Sequence, residues 1–87
     1  ADPGYAEAYM ARGRVFVRRQ MYAQAVDDFA RAIELDPELP GIFALRGNAL
    51  RELGHRQAAA ADYSEALRRH PDSHYYRSLL DQVSDTK

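Results

Sequence analysis

The chain repeats a pattern of residue types with a period of 34 positions. Proline, glycine, alanine and aromatic residues all recur at this spacing along the 87 residues. The equivalent sets are Pro3/Pro37/Pro71, Gly13/Gly47, Ala25/Ala59, Ala32/Ala66, Tyr9/Phe43 and Phe29/Tyr63. A period of about 20–50 residues is typical of stacked repeats, in which each unit buries its apolar face only against a neighbour. The period therefore predicts the architecture more directly than it predicts a ligand.

Apolar spacing within each period predicts two helices joined by a short turn. Because the turns are only a few residues long, each pair of helices should form an antiparallel hairpin. Pro40 suits the first turn of the third helix, and Gly54 suits a left-handed cap after it. The expected helices of the two hairpins are 5–19, 22–35, 40–53 and 55–69.

A fifth helix is expected over residues 73–84, with Tyr76, Leu79, Leu80 and Val83 as its apolar stripe. It departs from the repeat because Arg77 replaces an aromatic residue. An element with one apolar and one polar side is what a stack needs where it ends in water. We therefore expect this helix to be a cap.

Composition excludes several function classes. A formal net charge of −1, with 29% charged residues, provides no overall field for nucleic acid or an anionic membrane. The chain has no cysteine, and no apolar run is long enough for membrane insertion. The spacing of His70 and His74 would suit a helical metal pair, but Pro71 lies between them. There is no glycine-rich phosphate loop or serine elbow, so we expect no catalytic residue, metal site or cofactor.

The repeated positions resemble the tetratricopeptide repeat (TPR). The TPR order of aromatic, glycine, bulky residue, alanine, aromatic, alanine and proline occurs twice in register. It is met by Tyr9, Gly13, Phe16, Ala25, Phe29, Ala32, Pro37 and again by Phe43, Gly47, Leu50, Ala59, Tyr63, Ala66, Pro71. The resemblance implies an all-α fold, a right-handed superhelical stack of two antiparallel helical hairpins with a fifth capping helix (an α-solenoid).

The resemblance also implies one domain over residues 1–87, with repeats at 6–39 and 40–73 and a capping helix at 74–87. We expect the chain to be a fragment of a longer protein, because residues 1–3 echo the Leu-Asp-Pro that closes the first repeat.

One departure from the TPR pattern suggests a pair of contacts. Arg12 and Arg46 precede the two glycines, where TPRs often have leucine, and Asp28 and Asp62 follow sixteen residues later. We hypothesise that Arg12–Asp28 and Arg46–Asp62 are equivalent ion pairs that fix the register of each hairpin. The alternative is that all four charges are solvated.

TPR arrays bind an extended peptide or a helix in a concave groove lined by the first helix of each repeat. The resemblance therefore implies a non-catalytic protein–protein interaction module with a protein or peptide partner. By register, the groove candidates are Met10, Arg14, Val17, Arg18, Ala44, Asn48, Arg51, Tyr75 and Ser78. Asn48 could hydrogen-bond a peptide backbone, and Arg14 and Arg51 could hold a carboxylate.

Two alternatives to this groove function bear on the partner. A TPR subclass clamps the acidic C-termini of heat-shock chaperones with lysines and asparagines. Here Met10 and Arg14 occupy corresponding positions and Lys87 is the sole lysine, which disfavours that partner. The second alternative is structural: the N-terminal hairpin would expose an apolar face that could contact an adjoining domain or form a homo-oligomer.

Overall fold

The computed structural model of the protein describes residues 3–84, which form five α-helices and no strand. Neighbours along the chain pack together: α1 on α2, α2 on α3, α3 on α4 and α4 on α5. The result is an elongated stack that measures 42 × 27 × 17 Å. This confirms the expected all-α repeat fold. The helices are α1 (Pro3–Arg18), α2 (Tyr22–Leu35), α3 (Ile42–Glu52), α4 (Arg56–Arg69) and α5 (His74–Ser84).

Each hairpin is held by an aromatic ring that lies against a glycine. A Cβ atom added at Gly13 would lie 2.6 Å from Cε1 of Phe29, and one added at Gly47 would lie 2.7 Å from Cε1 of Tyr63. Phe29 and Tyr63 are both fully buried. The missing glycine side chains therefore allow the helices of each hairpin to approach closely, as the repeat pattern predicts.

Two apolar clusters join the first hairpin to the second and the second hairpin to α5. In the first, Ile42 of α3 packs with Phe29 and the buried alanines of α2. In the second, Leu79 and Val83 of α5 pack with Ala59 and Tyr63 of α4. The fifth helix thus covers the apolar face of the second hairpin.

The turns within the two hairpins are also equivalent. Gln20 (φ +61°) and Gly54 (φ +86°), one period apart, both adopt left-handed backbone conformations. The following amides close the turns: Met21 N–H donates to the Phe16 carbonyl at 2.8 Å, and His55 N–H donates to the Leu50 carbonyl at 2.9 Å. The left-handed cap expected at Gly54 is confirmed.

The third helix begins later than the sequence predicts. It starts at Ile42, so the expectation that Pro40 lies in its first turn was wrong. Gly41 takes a left-handed conformation (φ +76°), which a helix cannot contain, and Ile42 N–H donates to the Leu39 carbonyl at 3.2 Å instead. The other described helix starts and ends agree with the sequence expectation to within one or two residues.

One bidentate ion pair ties the two helices of each hairpin together. The guanidinium of Arg12 donates to both carboxylate oxygens of Asp28 at 2.8 and 2.9 Å, and Arg46 does the same to Asp62 at 2.8 Å for each bond. The aspartates are only 5% and 4% exposed. Hydrogen bonding to Asp62 raises the pKa of Arg46, so the guanidinium stays charged. The proposed pairing is confirmed in both repeats.

Candidate binding groove

Two adjoining concavities lie along one side of the stack, where α1, α3 and α5 come together. The first, about 250 Å³, is bounded by all three helices, and the second, about 230 Å³, by α1 and α3. They share Arg14, Leu45 and Asn48. We call the two together the groove. The first is completed by Pro40, Gly41, Ala44, Tyr75 and Tyr76, and the second by Val17 and Arg18.

The groove carries positive charge from α1. Arg14 and Arg18 are exposed, and neither side chain forms an ion pair or hydrogen bond with any residue between 3 and 84. Arginine offers donors only, in a planar fork that matches a carboxylate. These two side chains are therefore available to an acceptor from outside the chain.

A polar contact fixes the floor of the groove on α3. The Tyr63 hydroxyl donates to Oδ1 of Asn48 at 2.6 Å. Burial raises the pKa of Tyr63, so the hydroxyl remains a protonated donor at neutral pH. Asn48 is half-buried, and its oxygen already accepts this hydrogen bond.

Tyr75 and Leu45 add apolar surface beside these polar groups. Tyr75 is 61% exposed, and its ring centroid lies 5.7 Å from that of Tyr76 at an interplanar angle of 43°. Leu45 is half-buried against the first apolar cluster. The groove therefore combines cationic, amide and apolar surface over a short distance.

Comparison with protein-family models decides the family. Two models, both described as tetratricopeptide repeat, match residues 6–39 and 45–80, which together make up most of the chain. The chain belongs to the tetratricopeptide repeat family. Curated TPR relatives include tetratricopeptide repeat protein 28 of Mus musculus and of Homo sapiens, each 32% identical over 72 residues. The match covers 83% of this chain but only 3% of each relative.

A solved TPR structure shows the same fold. It is the NMR structure of the second TPR domain of the human RPAP3 protein, in complex with the HSP70 peptide SGPTIEEVD. The TM-score is 0.87 at 27% sequence identity, with 98% of this chain and 71% of the human chain covered. A protein-interaction role for this TPR stack follows from the family and this neighbour.

Most of the groove residues expected from the TPR register lie in the groove. Ala44 is only 5% exposed, so the floor is the only part of the groove to which it can contribute. Three expected residues do not line either concavity. Met10 packs against the first apolar cluster, and Ser78 is exposed on α5. The guanidinium of Arg51 lies 3.8 Å from Oε2 of Glu52 and 3.5 Å from Oε1 of Gln82.

Sequence reasoning missed Pro40, Leu45 and Tyr76 as groove residues. Position 45 is one period after Ala11, which is exposed. A large apolar residue at a position where the first repeat exposes a small one was the available signal. Tyr76 was assigned to the apolar stripe of α5; it packs there and also reaches the groove edge.

The part of the chain that the structure describes contains neither a candidate metal site nor a candidate membrane-spanning helix. No cluster of histidine and carboxylate side chains there could hold a metal ion. None of its helices has the length and apolar character required to cross a membrane. The ring of His70 lies 6.0 Å from that of Tyr76, so this histidine has an aromatic neighbour.

Proposed function

We propose that the groove binds an extended peptide segment that carries a carboxylate, and that the protein acts in this way as a non-catalytic interaction module. The observation that carries the proposal is the pair of unpaired arginines, Arg14 and Arg18, beside an amide whose oxygen already accepts a hydrogen bond from Tyr63. Such a surface donates hydrogen bonds and offers few acceptors, which favours ligands rich in carbonyl and carboxylate oxygens.

The structural neighbour supports an acidic ligand. The human TPR domain was solved with SGPTIEEVD, a peptide that contains two glutamates and ends in aspartate. In this chain the cationic positions are filled by arginine, which can bind a carboxylate through two parallel hydrogen bonds where lysine acts as a point charge. The use of arginine instead of lysine thus changes the hydrogen-bond geometry of carboxylate recognition, while the positive charge that attracts the carboxylate is the same.

Apolar side chains of the peptide have their own surface in the groove. We assign them to Leu45 and to the exposed face of Tyr75, because a tyrosine ring supplies contact area with little loss of conformational freedom. The proposed ligand therefore has at least one apolar residue within a few positions of its carboxylate.

Fluorescence anisotropy with labelled SGPTIEEVD tests the proposal. The matched control peptide has glutamine and asparagine in place of its acids and an amidated C-terminus. We expect the acidic peptide to bind more tightly, and Arg14→Ala to weaken it about tenfold or more, since hydrogen bonds to charged groups contribute about 1.5–3 kcal/mol. Arg77→Ala is the control variant, because Arg77 is exposed on α5 and lines neither concavity.

Should SGPTIEEVD fail to bind, peptides selected from a random display library on the wild-type protein replace it as the probe. The proposal is refuted when no peptide is enriched, or when the selected peptides bind Arg14→Ala and Arg77→Ala equally well.

A second candidate function is assembly through the N-terminal face. Tyr5 is 62% exposed and Ala8 is exposed, whereas their equivalents one period later, Leu39 and Ile42, are 7% and 1% exposed beneath the first repeat. We propose that this face contacts a second copy or an adjoining domain. Sedimentation of the chain over a range of concentrations, compared with Tyr5→Ser, tests it; a monomer at all concentrations rules out the homo-oligomer.

A further inference from the structure

The two repeats differ at two positions beside the groove, and in the second repeat the residues at these positions contact each other. The first repeat has Arg14 in the groove and Phe29 on its second helix, whereas the equivalent positions of the second repeat hold Asn48 and Tyr63. The two rings occupy matching places, each against the glycine of its own hairpin. The second repeat therefore has an amide in place of a guanidinium, and its buried ring carries a hydroxyl that the first repeat lacks.

This hydroxyl matters because an amide, unlike a guanidinium, can present either polarity. Arginine has no acceptor, so Arg14 needs no partner to remain a donor. Asparagine can turn either its carbonyl oxygen or its NH₂ group toward a ligand. In the structure the oxygen is the atom that meets Tyr63: the hydroxyl donates to Oδ1 of Asn48 at 2.6 Å, within the range of O–H···O hydrogen bonds.

The NH₂ group of Asn48 is left open. Its nitrogen has no hydrogen-bond partner among residues 3–84. Every side-chain nitrogen that is buried in that range has a partner, so this nitrogen must be accessible to solvent. An amide held at its oxygen presents its two N–H donors on the other side.

We infer that Tyr63 is a positioning residue that holds Asn48 with its NH₂ group toward the groove, so that both repeats present donors only to the ligand. The inference rests on the proposed function of the groove and names the ligand groups that it recognises: backbone carbonyl or carboxylate oxygens, not N–H groups. Tyr63 itself is fully buried and acts through Asn48 alone.

The first arm of the test needs no ligand. Unfolding free energies of wild type, Tyr63→Phe, Asn48→Ala and the double variant form a double-mutant cycle. We expect the two substitutions to be non-additive, because either one removes the same hydrogen bond. Tyr63→Phe should fold, since phenylalanine is the residue that fills the equivalent site at Phe29.

The second arm measures binding of SGPTIEEVD, or of the display-selected peptide, by anisotropy. Tyr63→Phe should weaken binding about fivefold, which corresponds to about 1 kcal/mol, and should have no effect in the Asn48→Ala background. Asn48→Asp should bind more weakly than Asn48→Ala, because it replaces the donors with a negative charge. Tyr22→Phe, which removes a phenolic hydroxyl outside the groove, should bind like wild type.

The outcomes separate this inference from the proposed function. Additive unfolding free energies overturn the inference. So does a peptide that binds wild type and Tyr63→Phe equally, or one that binds Asn48→Asp more tightly than Asn48→Ala; in both cases the groove function stands. Loss of all peptide binding in the wild type, with the unfolding cycle still non-additive, refutes the groove function and with it the role of the hydrogen bond in recognition.

Discussion

Replacing Gly13 by alanine tests how closely the helices of the first hairpin are packed. In an open helix, Gly→Ala stabilises by about 1 kcal/mol because alanine has the higher helix propensity. Here the added Cβ would lie 2.6, 2.8 and 3.0 Å from three carbons of the Phe29 ring. Ordinary carbon–carbon contacts are about 3.5–4.0 Å, so the ring would have to move by about 1 Å.

The buried ring has little room for that movement. Phe29 is 0% exposed and belongs to the first apolar cluster. Overpacking in a tight core costs about 1–3 kcal/mol, and a rigid, fully enclosed ring belongs in the upper part of this range. After subtraction of the gain in helix propensity, Gly13→Ala should destabilise the fold by about 1–2 kcal/mol, or lower the melting temperature by roughly 4–16 °C.

Urea denaturation followed by circular dichroism measures the change, with thermal unfolding as a second assay. The control is the double variant Gly13→Ala/Phe29→Leu, in which a smaller side chain makes room for the added methyl group. Its destabilisation should be less than the sum of the two single changes. An increase in stability of Gly13→Ala by about 1 kcal/mol would show that the ring yields freely, and would refute the argument from close approach.

Three further predictions concern charge and backbone. Arg46→Ala should destabilise the fold more than Arg12→Ala in urea denaturation, because the side chain of Arg46 is 27% exposed and that of Arg12 is 62% exposed, while each substitution leaves a buried carboxylate unpaired. Hydrogen bonds from Arg68 and the arginine beside it lower the pKa of Glu65 from 4.5 to about 2. Its stabilising contribution is therefore present above about pH 4.5 and is lost as the pH falls toward 2, so the difference in unfolding free energy between wild type and Glu65→Gln should close over that range. Gly54→Ala should cost about 1 kcal/mol in thermal unfolding although open space surrounds it, because φ is +86°.

Each of these has an internal control. Equal losses for the two arginine variants would show that exposure does not set the strength of the pairs. A difference for Glu65→Gln that persists at pH 2 would contradict the linkage argument. For Gly54, the equivalent residue in the first repeat is Gln20, which adopts the left-handed conformation at φ +61°; Gln20→Gly should therefore stabilise the fold, and a loss of stability there would contradict the backbone argument.

Much of the fold was predictable because it depends on contacts that repeat. Glycine opposite an aromatic ring, and alanine where helices cross, impose the same local packing in both hairpins, so a 34-residue period reports them directly. The ion pairs could be predicted for the same reason: Arg12 and Asp28 recur together as Arg46 and Asp62. The late start of α3 could not, because proline and glycine at 40 and 41 are compatible with several turns, and the packing of Leu39 and Ile42 selects one.

The groove was only partly predictable. Register identified Arg14 and Asn48 as outward-facing, but it treated Ala44 and Asn48 as equals although one is almost buried. Leu45 entered the groove because α1 and α3 leave a gap there, which depends on the angle between helices and not on either helix alone.

The repeated sequence by itself determined that the chain forms helical hairpins that stack, since small and aromatic residues recur at equivalent positions and pack against one another in the same way in both hairpins. The tertiary structure alone decided which polar atoms face the groove. The direction of the Asn48 amide depends on a hydroxyl fifteen residues away on another helix, and only folding brings the two within hydrogen-bond distance.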